Sequence, residues 1–547
     1  MARVPDITDK NRDQIMLRRP AFSPKGRSFK GFNLKKGLVD TNAARSRALK
    51  NPLVLDLIFG NLGLPDLKTS RLVCREWADV GAIVLGKRAF LQVNQLFSCE
   101  WFKPVEMAPV NDKLIRRVLI SDKFDSSIPT YMKTGVITIA LTQVAKLSQL
   151  TREIKFLVSQ KEFVPAFLEG IRILGSTKIQ HVGIFSAWKR DIASTIPAEA
   201  CQNLPPQPSL TSLKFEALSH LQHDLITGCN EFQPLIQVWL DAAPNLTSLD
   251  VVTSFYPNLE ACTSLRVLKF KLIMCCNEHY PHLNLANVTK MLAQVKDSLV
   301  KLELCHRVND YDSMQQIQSA EEVPVMSKLT SFAIDAGEVY QVRDFYNEEH
   351  FPKLRSFSVQ KGLKLFSHLN LWSRHRGVHS LVLIIDYVSE EQEFVGKMVD
   401  LFPAVKEFDL RLDLTVLTFT GDMTTTMFYY EPSWTSAAIH QFMKPFQMWD
   451  LERVNVSVEV QESALLIDAL QAISVLKGVK RVQFCFPCKD NTMDNFSATF
   501  QDVILHCRTF KSVEITRSEF RVEPEIVEQM QLMIEASGCA HLFYRKK

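Results

Sequence analysis

The sequence predicts an α/β protein: a small module of three short helices, then a curved solenoid with parallel strands on its concave face and helices on its convex face. Three observations lead there. A seven-residue strand template recurs along most of the chain, helix-like segments lie between many of its copies, and one compact apolar stretch near the N-terminus has helical spacing instead.

Residues 1–48 come first and carry no apolar periodicity. Residues 1–50 hold thirteen Lys/Arg and four Asp, a local charge of 13 − 4 = +9, while the whole chain is +4, so the remainder is 4 − 9 = −5. "RRPAFSPKGRSFKGFNLKKG" is rich in Arg, Lys, Ser, Gly and Pro and reads as a disordered basic leader. Its basic clusters fit a nuclear import signal, a contact for an acidic partner, or a solvated tail.

The pattern changes at Asn51. In "NPLVLDLIFGNLGLPDLKTSRLVCREW", Leu55, Ile58, Phe59 and Leu62 fall at i, i+3, i+4 and i+7, one stripe of an amphipathic helix. Pro52 suits the first helical position, and Gly63-Leu64-Pro65 breaks the helix. A second helix is expected with Asp66 in its first turn, where the helix dipole favours negative charge, and with Leu67, Leu72, Val73, Cys74 and Trp77 along it. "VGAIVLGKRAFLQV" follows as a further apolar segment. The predicted divisions are 1–48 leader, 49–92 helical module, 93–110 linker, and 111–547 repeats with an insertion near 415–435.

The repeats share one template: an apolar residue, two variable residues, an apolar residue, one variable residue, an apolar residue. It fits "KIQHVGI" (178–184), "SLTSLKF" (209–215), "NLTSLDV" (245–251), "SLRVLKF" (264–270), "SLVKLEL" (298–304), "KLTSFAI" (328–334) and "KLRSFSV" (353–359). It continues in "GVHSLVL" (377–383), "AVKEFDL" (404–410), "DLERVNV" (450–456), "GVKRVQF" (478–484) and "TFKSVEI" (509–515), with weaker forms at 114–120 and 150–156. The average spacing is about thirty residues, near the leucine-rich-repeat range. Helix-like segments such as "EFQPLIQVWLDAA" and "ESALLIDALQAISVLKG" lie between copies. The gap between Leu249 and Leu268 is too short for a strand plus a helix. The repeat consensus asparagine is absent: Leu218, Ser254, Ile273, Arg307 and Gly337 occupy its places. Each unit buries its open face on the next, and helices bulkier than strands make such a stack bend.

The stretch 51–77 resembles an F-box: an amphipathic helix ending in Ile-Phe and a Leu, a Pro/Asp turn, then Leu with a Val-Cys-x-x-Trp ending. Pro52, Leu55, Ile58, Phe59 and Leu62 match the first half, Pro65, Asp66 and Leu67 the turn, and Leu72, Val73, Cys74 and Trp77 the ending. Asn51 stands where the family usually has leucine, and Val54 or Leu55 where it often has an acid. An F-box before irregular leucine-rich repeats is a familiar family architecture. The resemblance implies a substrate-recognition adaptor of a Skp–cullin–F-box ubiquitin ligase. Pro52, Leu53, Leu55, Ile58, Phe59, Leu62, Pro65, Leu67, Leu72, Val73, Cys74 and Trp77 would then dock the Skp-type adaptor, and through it the cullin and RING subunit. Three short helices cannot bury all these side chains among themselves, which suits a docking module. The competing reading is an N-terminal cap on the repeats.

The variable strand positions are the candidate target-binding face: Lys214, Asp250, Lys269, Glu303, Ser358, Asp409, Arg411, Asn455, Gln483 and Glu514. Both charge signs occur, which suits a protein partner better than a nucleic-acid backbone. The alternative is a non-ligase interaction scaffold. No cofactor, metal or catalytic site is expected: no phosphate loop, His-Glu-x-x-His or Gly-x-Ser-x-Gly occurs, and Cys485-x-x-Cys488 ends a strand without a second pair. Four Asn-x-Ser/Thr sequons, at Asn245, Asn287, Asn455 and Asn495, read as coincidence in a chain with no visible secretory signal. No uncharged apolar run reaches the roughly 18 residues a membrane span needs. The expectation is a cytoplasmic or nuclear protein whose twelve cysteines are reduced.

Overall fold

The computed structural model describes residues 47–98, 106–107, 110–121, 128–146, 150–158, 162–186, 196, 198–217, 232–273, 284–306, 323–335, 345–360, 369–385, 395–414, 434–460, 462–485, 493–516 and 524–544. The basic leader up to residue 46 and the expected insertion near 415–435, apart from Trp434 and Thr435, lie outside them. The chain divides into two compact units, Met1–Gly81 and Ala82–Lys547. The division falls inside a helix, ahead of the expected boundary at 92/93.

The first unit holds α1 (Pro52–Asn61), α2 (Leu64–Ser70) and the start of α3 (Arg75–Arg88). Asn51 is the N-cap of α1: its side chain accepts the Leu53 N–H at 3.0 Å, and Pro52 opens the helix. A cap satisfies a backbone N–H that the first turn of a helix leaves unpaired. Asp66 lies in the first turn of α2, as expected. The second helix is shorter than expected, however. It stops at Ser70, so Leu72 and Val73 sit in the turn and Trp77 rides on α3.

The second unit is built on one sheet. Its strands are β1 (Leu91–Gln92), β4 (Arg117–Ser121), β5 (Glu153–Val158), β6 (His181–Ser186), β7 (Ser212–Ala217), β8 (Ser248–Thr253), β9 (Val267–Leu272), β10 (Lys301–His306), β11 (Ser331–Asp335), β12 (Ser356–Gln360), β13 (Ser380–Ile385), β14 (Glu407–Leu414), β15 (Arg453–Val460), β16 (Val479–Cys485), β17 (Val513–Thr516) and β18 (Phe543–Tyr544). A short antiparallel pair, β2 (Phe97–Ser98) with β3 (Glu106–Met107), stands apart. Among the described residues the main sheet has sixteen strands, each paired with its neighbours in chain order, so the strand order never crosses over. Every adjacent pair is parallel, from β1–β4 to β17–β18.

Every expected template becomes a strand, and their central residues form one buried row. Leu213, Leu249, Leu268, Leu302, Phe332, Phe357, Leu381, Phe408 and Val454 pair in register from strand to strand. All are at most 1% exposed. Burying each such side chain contributes at most about 1.5–3 kcal/mol. The alternating burial follows from the period of two along a strand.

The connections carry α4 (Thr130–Lys146), α5 (Phe163–Leu174), α6 (Gln233–Ala242), α7 (Leu285–Val295), α8 (Val395–Leu401), α9 (Ser436–Met443), α10 (Ser463–Ser474), α11 (Met493–Cys507) and α12 (Pro524–Ala536). Their apolar stripes, for example Leu235, Val238 and Trp239 on α6, join the strand residues in one core. The short connection from β8 to β9 contains no helix, as its length required.

Neighbouring units are also joined just ahead of the strands. Just before each strand from β5 to β15, one carbonyl of the preceding unit accepts two successive N–H groups; the Thr211 carbonyl, for instance, takes those of Thr247 and Ser248. Threonine hydroxyls reinforce it: Thr211 Oγ1 donates to the Gln180 carbonyl at 3.2 Å and Thr247 Oγ1 to that of Thr211 at 3.0 Å. These are the threonines of the "LTS" fragments, and each hydroxyl adds a third hydrogen bond to a carbonyl that already accepts two N–H groups.

The template fails in register at one place. Val454 and Val482 hold equivalent template positions, yet Val482 pairs with Val456, and Val454 pairs with Val479 across a bulge. A slip of two residues leaves the same side chains facing the core, so the pattern alone does not exclude it.

Candidate functional site

Two surfaces stand out, one in each compact unit. In the first unit, α1 is apolar on both sides. Leu55 and Phe59 form the inner stripe and are fully buried, as is Leu67 of α2. These three residues were expected to dock a partner, but they hold the unit's own interior. The outer surface instead carries Leu53 (77% exposed), Leu72 (85%) and Val73 (63%), with Ile58 at 36%. Pro52 and Pro65 are exposed beside them, while Leu62, Cys74 and Trp77 are half-buried. Leu57 (71%), Leu49 (43%) and Leu64 (38%) join this surface.

Sequence reasoning missed those last three. The available signal was Leu53–Leu57, an i,i+4 pair on a helix whose other stripe is already apolar. Trp77 packs edge-on to Phe59, with ring centroids 5.3 Å apart, and donates its indole N–H to the Leu49 carbonyl at 2.8 Å. It belongs to the unit's frame as much as to its surface.

In the second unit, the strand residues that alternate with the core form rows across the sheet. Lys155, Gly183, Lys214, Asp250, Lys269, Glu303, Ala333, Ser358, Val382, Asp409 and Asn455 are consecutive in register. Seven of the ten expected target-binding residues therefore share one row. Arg411 and Gln483 lie on the next row, where Arg411 pairs with Ser457 and Gln483 with Ser457 and Glu514. Glu514 corrects the expectation. It is only 2% exposed, and its carboxylate is held by the Arg481 guanidinium, so it is unavailable as a contact residue.

Much of the mixed charge is neutralised within the row. Lys214 reaches Asp250 at 3.4 Å and Glu216 at 3.1 Å, and Lys269 reaches Glu303 at 3.2 Å. Burial lowers the pKa of Lys214, but the bond to Glu216 and the charge of Asp250 outweigh it and leave that pKa raised.

At one end of the row the side chains change character. The Lys155 ammonium lies 4.3 Å from the Phe90 ring centre and 5.5 Å from that of Phe185, and the Arg117 guanidinium lies 4.1 Å from Phe90. A Cβ on Gly183 would come within 2.9 Å of the Phe185 ring, so glycine gives that ring its room.

Between β8 and β11 the same face holds a cavity of about 280 Å³, bordered by Asp250, Lys269, Lys271, Glu303, Cys305 and Asp335. It is lined by charge of both signs. Among the described residues no group of three or more His, Cys, Asp or Glu could hold a metal ion, and no helix is long and apolar enough to cross a membrane. Cys485 is buried and in no disulfide, while Cys488, Cys275 and Cys276 lie outside the described residues. Burial pushes the Cys262 and Cys507 thiols up to about 12, which removes them as nucleophiles near neutral pH.

No protein-family model matches the chain, and no curated protein matches it.

Proposed function

We propose that the protein is a substrate-recognition adaptor of a Skp–cullin–F-box ubiquitin ligase. The helices of residues 51–88 would be an F-box that docks the Skp-type adaptor, and the sheet unit a curved leucine-rich-repeat solenoid that holds a protein target. The protein would perform no bond chemistry. It would raise the effective concentration of a target lysine near the ubiquitin-charged enzyme and orient it.

The observation that carries this reading is the outward apolar surface of the first unit. Leu53, Leu57, Leu72 and Val73 are each more than 60% exposed within a span of 21 residues. Scattered exposed leucines need no explanation, but four large apolar side chains left outside on one small unit are what an interaction surface would present. Burying each on a partner would contribute up to about 1.5–3 kcal/mol before the cost of association. A row of polar, sequentially ordered strand residues is the kind of extended surface on which repeat proteins hold other proteins.

The test is recovery of partners by the tagged full-length chain. The ligase reading expects a Skp-type adaptor together with cullin and the RING subunit. Leu53→Asp combined with Leu72→Asp should abolish adaptor recovery, because both side chains are exposed and neither supports the interior. Unchanged recovery by that variant sinks the docking assignment. Recovery of the adaptor without cullin from wild type favours the scaffold reading.

A further inference from the structure

We propose that the cavity between β8 and β11 anchors the target segment, and that it takes an unmodified aspartate or glutamate side chain onto Lys271. This rests on the reading of the sheet face as the target-binding surface.

Most charges in the cavity already have partners. Asp250 is paired with Lys214 at 3.4 Å and Glu303 with Lys269 at 3.2 Å. The Asp335 carboxylate accepts the Cys305 thiol at 3.4 Å. Lys271 is different. Its neighbours on the adjoining strands are Val252 and Cys305, and among the described residues it has no ion pair. Two residues before it on the same strand face stands Lys269, a like charge. An ammonium in that position gains from an incoming anion what no neighbour supplies.

Space is available as well. Ala333 pairs in register with Glu303 on one side and Ser358 on the other, and these two short side chains leave the row open beyond Glu303. At about 280 Å³ the cavity falls below the roughly 300–1,000 Å³ of drug-sized sites and suits one or two side chains of a polypeptide.

The lining also selects the anion. Phosphate carries about −1.5 to −2 charges at neutral pH and is typically held by several arginines. Here no arginine borders the cavity, and three carboxylates do. A monoanionic carboxylate meets Lys271 with the least repulsion.

A positional-scanning library of nine-residue peptides, each acidic position offered as glutamate, glutamine and phosphoserine, tests this on the full-length chain. Glutamate at one position should be selected, and glutamine there should bind about tenfold more weakly. Lys271→Glu should cause a similar loss, and lysine at that peptide position should restore binding to the variant. Lys271→Gln serves as a second variant if the reversal disturbs folding, which thermal unfolding reports. The proposal is overturned if no peptide is selected, if phosphoserine is preferred, or if binding is indifferent to Lys271. Adaptor recovery by Lys271→Glu reads the ligase assignment separately, since Lys271 and the exposed leucines belong to different compact units.

Discussion

The Trp77 indole donates its N–H to the carbonyl of Leu49, 2.8 Å away and 28 residues back along the chain. The same ring meets Phe59 edge-on, so one side chain ties the segment before α1 to the helix itself. Trp77→Phe removes the hydrogen bond and keeps an aromatic ring. It should cost about 1 kcal/mol, and Trp77→Ala about 2–4 kcal/mol. Hydrogen exchange resolved by peptide should show faster exchange across residues 47–70 in both variants, larger for alanine, with the strands β7–β13 unchanged. Equal exchange in wild type and Trp77→Ala would remove Trp77 from the frame of this unit.

Gly478 and Gly175 share a positive φ and differ in their surroundings. Both have positive φ, +78° and +65°. A Cβ on Gly478 would lie 2.4 Å from the Leu451 carbonyl oxygen, whereas one on Gly175 meets nothing within 4 Å. Gly478 also offers its carbonyl to Val454 at the register shift between β15 and β16. Alanine at 175 carries only the conformational penalty of a φ of +65° with a ψ of −140°, about 2 kcal/mol. Alanine at 478 adds a clash with backbone, so a loss of about 3 kcal/mol is expected. Urea unfolding of the two variants checks the order, and a Gly175→Ala loss as large as that of Gly478→Ala would refute it.

These contrasts mark how far the sequence could be read. The strand positions were legible because one face is buried and the period of two leaves little choice. Two-residue strands such as β1 and β18 carry no period, and both went unseen. The slip at Val482 preserves the apolar face, so its signal was the nearby glycine rather than the template. In α1 the apolar residues exceed one stripe, and spacing alone does not say which stripe turns inward. Leu55 and Phe59 do, and that leaves Leu53 and Leu57 outside. Glu514 looked like any variable strand position. Its burial depends on what covers the last strands, and it pairs in register with Tyr544 of β18, a strand the pattern did not reveal.

His375 gives the stability a pH dependence with a definite sign. Its Nε2 lies 3.0 Å from the Phe351 carbonyl, and its Nδ1 accepts the Gly377 N–H at 3.2 Å. One nitrogen donating and the other accepting describes a neutral imidazole. Burial is the largest influence and lowers its pKa from 6.5; the bond to Phe351 and the charge of Glu348 oppose this without reversing it. The unfolded chain therefore binds the proton first. As pH falls through about 6.5 the unfolded state gains a charge that the folded state refuses, and stability drops until the lowered folded pKa is passed. The slope from this one group is at most about 1.4 kcal/mol per pH unit. His375→Gln keeps a side chain able to donate and accept, and does not titrate. Wild type should be the more stable protein at pH 7.5, and the gap in urea midpoint should narrow by pH 5.5. A gap that stays constant or widens toward acid would show that His375 is not held neutral.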